Sequence, residues 1–131
     1  MTVIRPIAFL VALLALAACH KAPSPDELAA RAAKAYYGQL ISGRYDDFVA
    51  GSYLPYRMPD GYRRQLVDNA RMFAAQQETE HKGIKKVVAT DAKADTVRSV
   101  ANVYLRLYYG DGTSEEVVVP MVRHNHMWYM R

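Results

Sequence analysis

Residues 97–123 read VRSVANVYLRLYYGDGTSEEVVVPMVR, and their pattern decides the fold. Val97, Ser99, Ala101, Val103, Leu105, Leu107 and Tyr109 alternate with Arg98, Val100, Asn102, Tyr104, Arg106 and Tyr108. Successive side chains of a strand point to opposite faces. A period of two therefore turns the first set toward a core and the second toward solvent or a partner. Gly110-Asp111-Gly112 supplies a hairpin turn. Glu115–Arg123 then returns as an antiparallel strand. Pro120 within it has no N–H to donate, so it belongs at a bulge or an unpaired edge position. His124-Asn125-His126 forms the next turn and Met127–Arg131 the last strand. On the N-terminal side, Ile84–Ala89 reads as a strand and Asp91–Asp95 as the polar turn that leads into the long alternation.

Ahead of Ile84 the period is helical. Ser24-Pro25-Asp26-Glu27 is a helix start, with Ser24 as cap, Pro25 at the first helical position and Glu27 completing a capping box. Leu28, Ala32, Ala35, Tyr36 and Leu40 recur at helical spacing, and Gly43 ends a helix over 25–42. Tyr45–Ala50 reads as a second, short helix, followed by a loop around Gly51–Pro59. Pro59 or Asp60 opens a third helix, with Tyr62, Leu66, Ala70, Phe73 and Gln77 turned inward, and Gly83 closes it. Three N-terminal helices followed by four strands predict an α+β domain over 25–131, with the helices packed on one face of an antiparallel sheet. Its expected core includes Leu66, Phe73, Val103, Leu105, Leu107 and Trp128.

Composition narrows the classes further. The chain has 131 residues, 51% hydrophobic and 23% charged, with a net charge of +4. That is one domain's length, and too apolar for a disordered chain. A single cysteine excludes a disulfide framework. One apolar run, at the N-terminus, excludes a polytopic membrane protein. That run, Ile7–Ala18 behind Arg5, is shorter than the roughly 20 residues a membrane-spanning helix needs and has the length of a signal-peptide core.

The run ends in Leu16-Ala17-Ala18-Cys19, which resembles the lipobox of bacterial lipoproteins. The resemblance implies a signal peptide over 1–18, cleavage between Ala18 and Cys19, and acylation of Cys19. Residues 19–24 then form a lipid-anchored tether to the membrane. No Asp stands beside Cys19, as it does in lipoproteins held in the inner membrane, and no acidic run follows it. The expected location is the outer membrane of a Gram-negative bacterium, facing the periplasm.

The domain's pattern carries a second resemblance. An amphipathic helix ends in Gly43-Arg44-Tyr45-Asp46-Asp47-Phe48, more helix follows, and then long strands with Asp111-Gly112-Thr113 at a hairpin and Trp128 in the final strand. This is similar to the nuclear transport factor 2-like superfamily, and more narrowly to small Gram-negative lipoproteins with a domain of unknown function on that fold. The resemblance implies a cone of three helices against a curved sheet, with a pocket between them. Such folds serve isomerases, dehydratases, secretion-system parts and binding modules alike, so fold does not deliver function.

An enzyme of the ketosteroid isomerase type needs a carboxylate base and a proton donor facing one pocket. The inward stripe of 97–109 holds neither a carboxylate nor a histidine, so no catalytic residue is assigned. Asp46 and Asp47 read as solvated or as capping the short helix. Tyr36, Tyr37 and Tyr62 read as core fillers with hydroxyls at the surface, rather than as ligand contacts. His124 and His126 would share a face in a strand, but they bracket a turn and have no Cys, Asp or Glu nearby in sequence. No metal and no cofactor are assigned. Arg63, Arg64, Arg71, Lys82, Lys85 and Lys86 read as a solvated basic face, with attraction of anionic headgroups or an acidic polymer as the alternative, and nucleic acid is not expected as a partner of an exported protein. The outward residues Tyr104, Arg106 and Tyr108 are of the types enriched at binding hot spots. They are the candidate surface for a protein partner or a homodimer. The leading reading is a non-catalytic binding module for a protein partner or a small envelope ligand. A pocket-based enzyme or ligand carrier, and a structural part of an envelope complex, are the alternatives.

Overall fold

The structure is a computed structural model that describes residues 21–131. The expected signal peptide over 1–18 and the expected acylation at Cys19 lie outside the described residues. The elements follow in the order α1 (Pro25–Ile41), α2 (Tyr45–Ala50), α3 (Tyr62–His81), β1 (Ile84–Asp95), β2 (Val100–Tyr109), β3 (Ser114–His124) and β4 (Met127–Met130). The strands form one antiparallel sheet in sequence order. The helices cover one face of it, so the α+β architecture is the expected one.

The start of α1 follows its local chemistry. Ser24 Oγ accepts the Glu27 N–H at 3.2 Å, and Pro25 opens the helix. Gly43, at φ 76°, leaves it in a left-handed conformation that costs a glycine little. Leu40 is buried as expected, but the rest of the buried stripe is Ala29 and Ala33, one position round from Leu28 and Ala32. Leu28 is 44% exposed and Ala35 is on the surface. Alanines at the contact let the helix backbone come close to the sheet, and the larger side chains are displaced to the flanks. Two polar contacts then hold α1 across the strands. Tyr36 Oη donates to the Trp128 carbonyl at 2.6 Å, and the Asp26 carboxylate accepts the Ala94 N–H at 2.7 Å.

The third helix begins at Tyr62 after a left-handed Gly61, two or three residues later than expected. It buries Val67, Ala70 and Gln77, while Tyr62 and Phe73 are 43% and 38% exposed. The expected burial of Phe73 is thus incorrect, and Leu66 is only half-buried. The physical reason is competition for the sheet. α1 occupies most of its inner face, so α3 leans chiefly on α2 and leaves much of its surface in water.

The sheet departs from expectation in one stretch. β1 continues to Asp95 instead of stopping at Ala89, and the predicted turn over 91–95 is strand. A register shift between Ala89 and Asp91 absorbs one residue and restores the alternation, so Ala92 and Ala94 lie over Val103 and Ala101. The turn falls at 96–99, and β2 starts at Val100. Val97, expected to face inward, is 93% exposed. Beyond that point the predicted faces hold. Val103 and Leu105 are fully buried, Leu107 nearly so, and Trp128 is buried on β4. Pro120 keeps register with Asn102, and its carbonyl accepts the Arg131 N–H at 2.9 Å. Its backbone edge therefore points away from β2, past the end of β4, where a missing N–H breaks no ladder bond.

Candidate functional site

The two faces of β2 present different chemistry. Ala101, Val103, Leu105, Leu107 and Tyr109 point inward and are buried. With Ala29, Ala33, Val119, Met121, Trp128 and Met130 they make a continuous core under α1. Under α1 the space between helix and sheet is filled by these apolar side chains, and an open cavity is left toward the end of α1.

The outer face is the more exposed one, and at its β4 edge Tyr53 leans on His124 and Tyr129. Tyr104, Arg106 and Tyr108 run down its middle, as expected from the alternation. Register sets their neighbours: Tyr108 lies between Lys86 and Ser114, Arg106 between Val88 and Glu116, and Tyr104 between Asp91 and Val118. Lys86 Nζ sits 5.4 Å from the centroid of the Tyr108 ring. The Arg106 guanidinium donates to Ser114 Oγ at 3.2 Å and to Glu116 Oε2 at 3.5 Å. An exposed pair of this kind contributes little stability, about 0–1 kcal/mol. Its consequence is order, because it holds a long side chain in one place. Half-exposed aromatic rings beside an ordered arginine and the exposed Val118 make a surface with both apolar and charged grip.

A cluster that sequence reasoning missed lies at the Gly110 turn. His81, the last residue of α3, stacks on Tyr109 with ring centroids 4.3 Å apart, and its Nδ1 lies 3.0 Å from Asp111 Oδ2. Tyr109 Oη donates to Glu115 Oε2 at 2.7 Å. Burial, reinforced by the Glu115 carboxylate, pushes the Tyr109 phenol up to about 12, so it stays a donor. Asp111 accepts from the Thr113 hydroxyl and N–H and from His81, and these bonds hold its carboxyl down at about 2. The cluster joins the end of α3 to the β2–β3 hairpin, and the Asp111 N–H bonds to the His81 carbonyl at 3.0 Å. Only Asp111-Gly112-Thr113 was a local signal. His81 is thirty residues away, and nothing in its neighbourhood announces the pairing.

The depressed Asp111 has a consequence for acid stability. The charged form is favoured by the fold, so its contribution is present above the ordinary carboxyl value of 3.8 and is lost as pH falls through about 2. Asp111→Asn keeps acceptor geometry toward Thr113 but removes the charge. Thermal midpoints of the two proteins should differ at pH 5 and converge toward pH 2. A gap that stays constant across that range would mean the charge contributes nothing.

The remaining candidates separate. Asp47 pairs with Arg44 at 3.0 Å on the surface, and Asp46 is exposed. Tyr37 is packed edge-on against Phe48, with centroids 5.7 Å apart. Tyr36 is tied inward to Trp128, contrary to the expectation of a hydroxyl at the surface. Asn125 and His126 are both left-handed, a two-residue turn, and the His124 ring leans on Tyr53. No group of three or more metal-ligating side chains occurs among the described residues. A cavity of about 470 Å³ opens between the end of α1, α3 and the start of β1. Its floor includes Leu40, Ala74 and Ile84, and Tyr45, Arg71, Glu78 and Lys85 also line it.

Comparison with known proteins bears on the fold. No family model matches the chain, and no curated protein matches it in sequence. The structure is similar to the crystal structure of a Campylobacter jejuni protein described as an NTF2-like transpeptidase. The TM-score is 0.62 at 14% identity, covering 75% of this chain and 92% of the other. The chain therefore has the nuclear transport factor 2-like fold: three helices on an open four-stranded antiparallel sheet.

Proposed function

We propose that this chain is an envelope lipoprotein, held in the outer membrane by acylated Cys19 and facing the periplasm, whose domain is a non-catalytic binding module. One observation carries the module reading: the inner face of the sheet is packed under α1, while the outer face is the more exposed one, with Tyr104, Arg106 and Tyr108 along it. The lipobox-like run ending at Cys19 supports the anchor. No helix of the described residues is long and apolar enough to cross a membrane. The partner is a protein, or a second copy of the chain.

The test is the Tyr104→Ala/Arg106→Ala/Tyr108→Ala variant, followed by in-cell crosslinking and mass spectrometry of the purified lipoprotein. It should fold, because these side chains are outside the core. Loss of a hot spot costs at least about 2 kcal/mol, or roughly thirtyfold in affinity. The crosslinked partner, or the dimer, should disappear. A folded variant that keeps its crosslinks rejects this surface.

A second reading, a ligand carrier or enzyme, draws on the His81–Asp111 pair, Tyr109 and the cavity beside Arg71. If it holds, substitutions at His81 or Arg71 remove function and the triple variant does not.

A further inference from the structure

One end of the domain carries the exposed apolar side chains Leu28, Val97 and Met127 around the place where the tether leaves. The N-terminus of α1 is pinned beside the end of β1 by the bond from Ala94 N–H to Asp26. The β1–β2 turn lies at that end and carries Val97, 93% exposed. The β3–β4 turn lies there too, because Val122 pairs with Val100 and the Arg123 N–H bonds to the Ser99 carbonyl at 2.8 Å. It is followed by Met127, 57% exposed, which borders a cleft with Leu28 and His126. The Gly110 turn is at the opposite end, about 30 Å away along the ten residues of β2.

Charges of both signs stand at this end. The Arg98 side chain is 82% exposed and only loosely paired with Asp95, at 3.9 Å. Asp95 Oδ1 accepts the N–H groups of Val97 and Arg98 at 3.0 Å, which stiffens the turn that presents them. Asp26 is committed to Ala94. Glu27 and Asp91 stay exposed beside it as opposing charges. Lys21, Lys93 and Arg131 are exposed nearby on the tether, β1 and the C-terminus.

We infer that this end is a lipid-contact surface for a phospholipid bilayer, with Val97 and Met127 entering the interface and Arg98 meeting headgroup phosphate. The inference rests on the lipoprotein reading. The tether from Cys19 to Pro25 is six residues, and six extended residues span at most about 20 Å. An acylated Cys19 therefore keeps the start of α1 within that distance of the bilayer. Exposed apolar side chains flanked by arginine and lysine suit an interface where apolar groups and cations are both satisfied. This orientation places the His81 cluster and the Gly110 turn on the side remote from the membrane and leaves the outer face of the sheet accessible from the side.

The test uses the full-length acylated protein in vesicles of phosphatidylethanolamine and phosphatidylglycerol. Val97→Cys carries a nitroxide label, and Glu80→Cys carries the same label near the remote end. Flotation is measured on each sample. The label at 97 should be shielded from a water-soluble relaxant and accessible to oxygen, and the label at 80 should show the reverse. Adding Arg98→Gln should leave flotation unchanged and lower the lipid-facing population at 97 by about fivefold, as expected for roughly 1 kcal/mol per basic residue at the surface. If the protein floats and the label at 97 is as water-accessible as that at 80, the orientation is wrong and the anchor stands. If the protein does not float, the lipoprotein reading fails, and this inference fails with it.

Discussion

Leu105→Ala should destabilise the domain by about 2–5 kcal/mol, the usual result of deleting a buried leucine side chain whose site does not collapse. Leu105 is fully buried at the middle of β2, with Ala89 opposite it on β1 and Val117 on β3. Its neighbours belong to three strands, and α1 closes the core above them. The strands cannot move in without breaking ladder bonds, so much of the volume remains as a cavity. At about 4 °C per kcal/mol for a domain of this size, the thermal midpoint should fall by roughly 10–20 °C. Calorimetry on the purified protein reads this directly. Tyr104→Ala, one position away on the other face, should move the midpoint far less. Equal shifts would mean that the two faces of β2 are energetically alike, against the burial pattern.

Cys19→Ser should abolish lipid attachment completely and leave the protein uncleaved or soluble. The effect is all-or-none, because serine has no thiol to take the diacylglyceryl group, and the chain has no second cysteine. Two or more acyl chains anchor a protein stably, whereas none leaves only weak surface attraction. Metabolic labelling with a fatty-acid analogue, followed by membrane fractionation, gives the answer. A Cys19→Ser protein that still takes up label and pellets with membranes would overturn the lipoprotein reading. The same measurement leaves the fold and the outer-face surface untouched, so the two halves of the proposal stand or fall separately.

The sequence by itself determined the class of fold and the two faces of β2. Alternation over 100–109 is a local property of extended backbone, and it survives any tertiary arrangement that buries one side. The start of α1 was legible for the same reason, since Ser24, Pro25 and Glu27 act within one helical turn. Tertiary structure decided which stripe of each helix is inward. Leu28 and Phe73 are apolar residues at acceptable spacing, yet α1 meets the sheet through Ala29 and Ala33, and α3 is left with little sheet to cover. Periodicity ranks side chains by apolarity, whereas close packing of a helix on a sheet rewards small size at the contact. Pairing decided the bulge after Ala89, since Asp91 reads as a turn residue until β2 supplies the ladder that keeps it in a strand. Tertiary structure also made the His81–Asp111 pair. A helix end and a hairpin thirty residues apart meet only once the sheet has formed, and no local signal encodes that distance.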